Sequence, residues 1–370
     1  MLLVQATREA LLKALSAVVG IVERRQTLPI MANVLISKNG KQVSFEANDM
    51  EMQITTRSDF GVDDSQLQTT VAARMLLDIL RALPEYEEVK LRLQDNKLIV
   101  QTARSRFSLQ TMSADDYPRL SVPKAWQTTI TVGQKKLKEL LNTVHFAMAQ
   151  QDIRYYLNGM LFVIEAGWLR TVATDGHRLA HNATEIDNDE QSIEVIVPRK
   201  TAVEMQRLLS DDDEATVEIS VADGQIRFLF SAIEVVSKLV EGKFPDYERV
   251  IPQNYSRHFL IGRERLQGSL QRAALLTSDK FRGVRIQLEN NQMKISATNT
   301  EHEEAREDLA IDYSFEALDV GFNVSYLIDV LSHLRADEVR WSVHPDANAS
   351  ILVTHPEQEP FKYVVMPMRI

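Results

Sequence analysis

Two kinds of hydrophobic spacing alternate along the chain, and the alternation comes round three times. Apolar residues at three- and four-residue intervals predict amphipathic helices, whereas alternation at every second position predicts half-buried strands. A charged amphipathic helix is predicted over Thr7–Leu15, again over Gly133–Leu141 and again over Gly262–Leu270, a spacing of about 125 to 130 residues. After each helix an apolar segment alternates (Asn33–Ser37, Gly159–Ile164, Gly283–Leu288), followed by a turn and a second strand. These pairs read as hairpins. Their second strands end alike, in Ala47-Asn-Asp49, Ala173-Thr-Asp175 and Ala297-Thr-Asn299, where short polar side chains suit a turn or bulge that redirects a strand. A second helix follows at Ala73–Leu83, Arg199–Leu209 and Val324–Leu334, and after it further strands such as Glu88–Leu93 and Lys97–Thr102.

Each unit is thus helix, strands, helix, strands. The predicted fold class is α+β: three tandem copies of one domain, each with two helices on a curved antiparallel sheet. The junctions also match, since Asp115-Asp-Tyr-Pro-Arg-Leu120 closes the first unit and Lys243-Phe-Pro-Asp-Tyr-Glu-Arg-Val-Ile-Pro252 the second. Boundaries fall near residues 127 and 256, giving units 1–127, 128–256 and 257–370. Two helices cannot cover both faces of a sheet, so edge strands are expected to pair with the next unit and the sheets to run on continuously.

Composition bounds the function. With 370 residues, 44% hydrophobic and 25% charged, the chain can build two or three cores. It has no cysteine, which excludes disulfides, thiolate metal sites and cysteine nucleophiles. No apolar run has membrane-spanning length, and Met1–Ala10 lacks the basic, apolar, small-residue order of an export signal, so the expected location is the cytoplasm with no membrane partner.

A formal charge of −10 argues against a protein that coats DNA by many phosphate contacts, and makes the placement of basic residues the informative question. The six helical windows Thr7–Ala17, Arg74–Arg81, Lys135–Leu141, Arg199–Arg207, Arg263–Arg272 and Ser325–Arg335 hold 14 basic and 6 acidic residues. The helices therefore carry +8 and the rest of the chain −18, a segregation that turns the helices toward a polyanion; solvated helix faces are the bland alternative. Helices lining a ring at about 10 Å spacing decide how many are needed. Six leave roughly 9 Å of clear bore, too little for a duplex about 20 Å wide, whereas twelve leave about 28 Å. Two chains are therefore expected to close head to tail into one ring around DNA.

Several segments then carry a resemblance: Thr27-Leu-Pro-Ile30, Asp152-Ile-Arg-Tyr-Tyr-Leu-Asn-Gly-Met160, Thr171-Val-Ala-Thr-Asp-Gly-His-Arg-Leu-Ala180, Phe244-Pro-Asp-Tyr247, Lys280-Phe-Arg-Gly-Val284, Gly321-Phe-Asn-Val-Ser-Tyr326 and Tyr363-Val-Val-Met-Pro-Met-Arg-Ile370. Across all three repeats the chain resembles the bacterial DNA polymerase III β subunit, the family of replicative sliding clamps. The resemblance implies a head-to-tail dimeric ring on duplex DNA, in the cytoplasm at the nucleoid, without active site, metal or cofactor. Its implied partners are a clamp loader complex, the polymerase III catalytic subunit and other polymerases, and mismatch-repair and ligase proteins that carry a clamp-binding motif.

Three sets of site residues follow from the resemblance. A pocket for the partner's short linear motif is implied at Leu157, Thr174, Gly176, His177, Arg178, Leu179, Pro245, Arg249, Val250, Ser350, Val364, Val365, Met366, Pro367 and Met368. Independently of it, chain ends are usually polar and frayed, so a terminus with two methionines and a proline is expected to be docked; completing the third core is the alternative. DNA contacts are implied at Arg25, Arg74, Gln151, Tyr155, Tyr156, Arg199 and Lys200, through phosphates and stacking on an exposed base. Where the first two repeats have Arg74 and Arg199-Lys200, the third has Val324-Ser325, so its second helix should add least to a basic lining.

The dimer contact is placed at Arg104, Arg106, Phe107 and Leu109, an alternating edge strand, against Leu275, Leu276, Glu301, Glu303, Glu304 and Glu307. Two solvated charge runs are the bland reading of the same residues. Competing functions remain an enzyme and a peptide-binding repeat scaffold. The chain lacks a Gly-rich phosphate loop, a His-Glu-x-x-His helix and a Gly-x-Ser-x-Gly elbow, and His177 beside Asp175 has no nucleophile at triad spacing.

Overall fold

The computed structural model describes residues 1–23, 28–187, 192–278, 282–357 and 360–369. The first repeat contains β1 (Leu2–Thr7), α1 (Arg8–Val19), β2 (Asn33–Asn39), β3 (Gln42–Asn48), β4 (Met52–Ser58) and β5 (Gln66–Ala72). It continues with α2 (Ala73–Ala82), β6 (Glu88–Gln94), β7 (Lys97–Gln101) and β8 (Arg106–Met112). The second repeat contains β9 (Thr128–Gly133), α3 (Gln134–Val144), β10 (Gly159–Glu165), β11 (Trp168–Thr174) and β12 (Arg178–Glu185). After them come β13 (Ile193–Pro198), α4 (Arg199–Leu208), β14 (Thr216–Ala222), β15 (Gln225–Phe230) and β16 (Ile233–Lys238). The third contains β17 (Arg257–Gly262), α5 (Arg263–Ala274), β18 (Gly283–Glu289), β19 (Gln292–Thr298) and β20 (Glu304–Ala310). It ends with β21 (Leu318–Asn323), α6 (Val324–His333), β22 (Glu338–Val343), β23 (Ile351–Thr354) and β24 (Lys362–Val365).

The predicted helices form where the periodicity put them. Local chemistry sets some of their starts: the Thr7 side chain accepts from the Ala10 N–H at 3.3 Å, and Asn323 accepts from Ser325 at 2.9 Å, each satisfying a donor the helix cannot. One expectation is corrected, because every repeat opens with a strand rather than a helix: β1, β9 and β17 precede the first helices. Each is six residues long and runs directly into the helix start, so its two-residue alternation is cut off before it stands out.

Contacts divide the chain into two compact units that do not follow the repeats: Met1–Lys135 with Arg207–Leu239, and Lys136–Gln206 with Val240–Ile370. The first unit holds a twelve-stranded antiparallel sheet, in the order β1-β6-β7-β8-β5-β2-β3-β4-β16-β15-β14-β9. Within it β4 of the first repeat pairs with β16 of the second, Ile54 opposite Val235. Leu11, Leu15 and Val18 of α1 are buried where the helix lies against β3 and β4.

The second unit holds an eight-stranded sheet, β13-β10-β11-β12-β24-β23-β22-β17, and a four-stranded one, β20-β19-β18-β21. Here β12 of the second repeat pairs with β24 of the third, Ala180 opposite Tyr363. Helix α5 lies against β19 and β20. The predicted continuity of sheets from one repeat to the next is present at both junctions.

The repeat extends to single side chains at one corner. Asp49 Oδ1 accepts from the N–H groups of Glu51 (3.0 Å) and Met52 (2.7 Å), Asp175 Oδ1 from His177 (2.9 Å) and Arg178 (3.1 Å), and Asn299 Oδ1 from Glu301 (3.1 Å) and Glu303 (2.9 Å). A short acceptor closing a turn on its own backbone is what these Asp and Asn positions supply. No helix among the described residues is long and apolar enough to cross a membrane.

Candidate functional site

In the second unit the β11–β12 corner and the C-terminal strand form a cleft of about 230 Å³. Leu157, Leu179 and Val364 are buried in a cluster with Phe244 and Ile251, and the half-buried Tyr156, Tyr247 and Val250 pack against it. The cleft floor is therefore the exposed end of a core, held rigid by what lies beneath. Gly176 turns the corner at φ +89°, and a Cβ there would stand 2.9 Å from Arg154 Nη1, so both conformation and space favour glycine. Arg154 is itself fixed: its Nε and Nη2 donate to Asp152 at 3.0 and 2.7 Å, and Nη2 also reaches the Asp175 carbonyl at 3.1 Å. These bonds, with the Arg154 backbone N–H, hold the Asp152 carboxyl down at about 2.

Arg178 forms the polar wall. Its Nε donates to Asp175 Oδ2 at 3.1 Å, its Nη2 to the Phe146 carbonyl at 2.7 Å, and its Nη1 to Asp329 on α6, while the guanidinium lies 4.4 Å from the Tyr326 ring centre. The C-terminal strand closes the opposite side. Leu179 faces Val364 in the β12–β24 ladder, the Met366 N–H donates to the His177 carbonyl at 2.9 Å, and the Met368 N–H to Gly321 at 2.8 Å. The tail is docked, and Met366 keeps 40% of its surface exposed at the cleft.

Of the fifteen predicted pocket residues, Leu157, Thr174, Gly176, His177, Arg178, Leu179, Pro245, Val250, Val364 and Met366 line this cleft. The other five do not. Arg249 is exposed and paired with Asp246 at 2.8 Å; Val365 is buried opposite Ile351; the Ser350 carbonyl accepts from Tyr255; Pro367 and Met368 continue the tail beyond the lining. Conversely Arg154, Tyr156 and Tyr247 line it and were not predicted there, although each lies in a segment that carries the resemblance.

The DNA candidates fare unevenly. Arg25 lies outside the described residues. Arg74, Gln151, Tyr155 and Lys200 are exposed, Tyr155 by 57%. Arg74 donates Nη2 to the Val22 carbonyl, and Gln151 sits at φ +55°. Tyr156 is half-buried in the cleft wall. Arg199 is half-buried and donates Nη1 to the carbonyls of His145 and Met148, both at 3.3 Å, at the turn after α3. At the corresponding corner of the third repeat, Arg282 donates Nε to Ser325 Oγ at 3.2 Å, placing a cation where the helix itself has none.

Of the dimer candidates, Phe107 and Leu109 lie on β8, which pairs with β7 along Arg106–Gln110 but with β5 only at Thr111 and Met112. From Arg106 to Gln110 its other side meets no strand among the described residues. Arg104, Arg106 and Phe107 are exposed and Leu109 is half-buried. Strand β20 is an edge of the four-stranded sheet, with its first residue Glu304 and the preceding Glu301 and Glu303 exposed, and Leu275 keeps 80% exposure while Leu276 is half-buried. Glu307 departs from the expectation of waiting for a partner's arginine: Arg272 of its own chain holds it bidentately at 2.8 and 2.6 Å. No group of three or more metal-ligating side chains occurs among the described residues.

Three α+β repeats joined strand to strand, with a docked C-terminus beside a peptide-sized cleft, define a DNA-clamp architecture. Sequence comparison gives the same answer repeat by repeat. The DNA polymerase III beta subunit N-terminal domain matches residues 2–121, its central domain 131–246 and its C-terminal domain 248–369. The beta sliding clamp of Pseudomonas aeruginosa is 43% identical over 364 residues, and that of Escherichia coli K12 42% over 365, each covering 98% of both chains. A crystal structure of the Pseudomonas aeruginosa sliding clamp bound to griselimycin superposes with a TM-score of 0.96 at 42% identity over 100% of both chains. The chain belongs to the DNA polymerase III beta subunit family. Its function is that of a DNA sliding clamp of DNA polymerase III.

Proposed function

We propose that two copies close head to tail around duplex DNA through β8 of one and β20 of the other, and that the cleft receives short linear motifs of partner proteins. The observation that carries the ring is the repetition of one joint. Ala47, Ala173 and Ala297 face Ile54, Ala180 and Ala305 in their hairpins, which makes β4, β12 and β20 equivalent strands. Val100, Phe228 and Val353 face Phe107, Val235 and Tyr363, which makes β8, β16 and β24 equivalent. Inside the chain β4 joins β16 and β12 joins β24; among the described residues the members left with a free side are β20 and, from Arg106 to Gln110, β8.

Repeating the joint sets Ala305 of one protomer opposite Phe107 of its partner, just as Ile54 faces Val235 and Ala180 faces Tyr363. Arg106 then falls opposite Arg306 with Glu304 and Asp308 on its two diagonals, and Arg104 falls opposite Asp308, while Leu275 and Leu276 supply apolar surface. The repeats keep the boundaries near 127 and 256. Exposed Arg74, Gln151, Tyr155 and Lys200 meet the DNA backbone without reading sequence. The clamp loader, polymerases, mismatch-repair proteins and ligase compete for the cleft, and the protein carries out no chemistry of its own.

Retention on DNA tests the ring. The protein is loaded onto nicked circular plasmid with a clamp loader and ATP, isolated by gel filtration, and the plasmid is then linearised. Release on linearisation is expected; retention after cutting would show adhesion to DNA and overturn topological binding.

A further inference from the structure

Asp329 is not among the residues that line the cleft, yet it holds one of the walls. Arg178 forms that wall with its side chain only 11% exposed, and three anchors share its guanidinium: Asp175 on Nε, the Phe146 carbonyl on Nη2 and Asp329 on Nη1. The anchors are not equivalent. Asp175 belongs to the same corner, three residues away, and moves with it. The Phe146 carbonyl is neutral. Asp329 is the charged anchor that comes from a separate element, the middle of α6. It also works against a cation, since Arg199 lies close enough for the two guanidinium charges to repel.

Helix α6 gives that anchor a stiff support. Val324, Leu327, Val330 and Leu331 are buried beneath it. His333, one turn after Asp329, places Nδ1 2.7 Å from the Asp329 carbonyl and stacks on Phe146 with ring centres 4.5 Å apart. The Tyr363 hydroxyl donates to the Tyr326 carbonyl at 2.8 Å, and the Tyr326 ring lies against the Arg178 guanidinium. The turn carrying Phe146, strand β24 and the arginine are thus all registered on one helix.

Without the Asp329 carboxylate, Arg178 keeps a single carboxylate partner on its own corner, and the open space beside it is the cleft. A long side chain whose charge has lost a partner turns toward water through that opening. There it takes the volume that a partner's apolar side chain needs. The corner itself does not require an arginine: the equivalent residue of the first repeat is Met52, buried opposite Ser237 as Arg178 stands opposite Val365. We infer that Asp329 is a positioning residue for partner binding, which holds Arg178 against α6 and so keeps the cleft open; the assignment rests on reading the cleft as a peptide groove.

The Asp329 side chain is 36% exposed, so neutralising it leaves no buried cavity and the protein is expected to stay folded by circular dichroism. Fluorescence polarisation on the full-length protein with a labelled hexapeptide of leucine and phenylalanine core reads the effect. Asp329→Asn, which keeps the shape and loses the charge, is expected to weaken binding on the order of tenfold, and Asp329→Glu to recover most of the loss. Arg178→Met imports the residue of the first repeat. On that background Asp329→Asn is expected to change affinity by less than about twofold, because the arginine through which it acts is gone. Unchanged affinity in Asp329→Asn alone, or the same loss with and without Arg178, would overturn the positioning role and leave the groove standing. Failure of the unaltered protein to bind the peptide would overturn the groove and the role together.

Discussion

Arg178 and Asp329 form an ion pair that ties the first residue of β12 to the middle of α6, joining the second repeat to the third beside the cleft. The same guanidinium bonds Asp175 and the Phe146 carbonyl, so three separate elements converge on one side chain. Arg178→Ala removes all of these bonds from a mostly buried site and is expected to cost about 3 kcal/mol. Urea unfolding of the variant beside the unaltered protein measures it. A change below half that size would mean the three elements hold together without the arginine.

His181 makes the protein acid-sensitive. Its folded pKa of about 4 lies below the ordinary histidine value of about 6.5, so the unfolded chain takes up a proton that the folded one refuses. Stability is therefore intact above about 6.5 and lost as pH falls toward about 4, by about 2 kcal/mol at pH 5. His145, lowered by burial and then by His333, acts in the same direction. Urea midpoints at pH 7 and pH 5 should differ accordingly, and His181→Asn should remove most of the difference.

Gly176→Ala is expected to cost about 1 to 2 kcal/mol, since its φ of +89° is unfavourable to a side chain and the new methyl group meets Arg154. Peptide affinity should fall together with stability, because Arg154 must shift within the cleft wall. Unchanged affinity by calorimetry would show that the corner does not shape the groove.

The C-terminus should separate binding from folding. Stopping the chain after Val365 removes Met366 and the Met368–Gly321 bond but keeps β24, so peptide binding should drop at least tenfold while the dimer persists. Stopping before Lys362 removes the strand between β12 and β23 and should unfold the second unit. Circular dichroism and sedimentation read both. Loss of folding in the shorter truncation would place the tail in the core instead of the groove.

Leu275→Ala with Leu276→Ala, or Phe107→Asp alone, should convert the dimer to monomer, with sedimentation equilibrium as the measure. An unchanged dimer would rule out the β8–β20 joint.

The repeats, all six helices and the docked terminus were legible because each leaves a periodic or compositional mark. Less was legible where one residue type does two jobs. Arg199 opens a helix like any phosphate-binding arginine, and nothing in the sequence signals that its Nη1 also reaches the carbonyls of the turn after α3. Glu307 belongs to an acidic run, yet is claimed by Arg272, which is remote in sequence and adjacent only in the fold. Tyr156 and Tyr155 are consecutive, and the short turn through them half-buries one and exposes the other. The division into two compact units was invisible to the repeats, because the β4–β16 and β12–β24 ladders bind strands to neighbouring repeats as firmly as to their own.

The recurring joint has a kinetic corollary. Two of its instances are made within one polypeptide, where each half is held at high effective concentration by the chain and re-forms at once if it parts. In the proposed dimer the third is made between molecules, from identical backbone geometry but without a tether. Dissociation therefore has a preferred location that requires no weaker contact, only the missing covalent link, and a protein that opens the ring needs to hold a single joint apart without unfolding either chain.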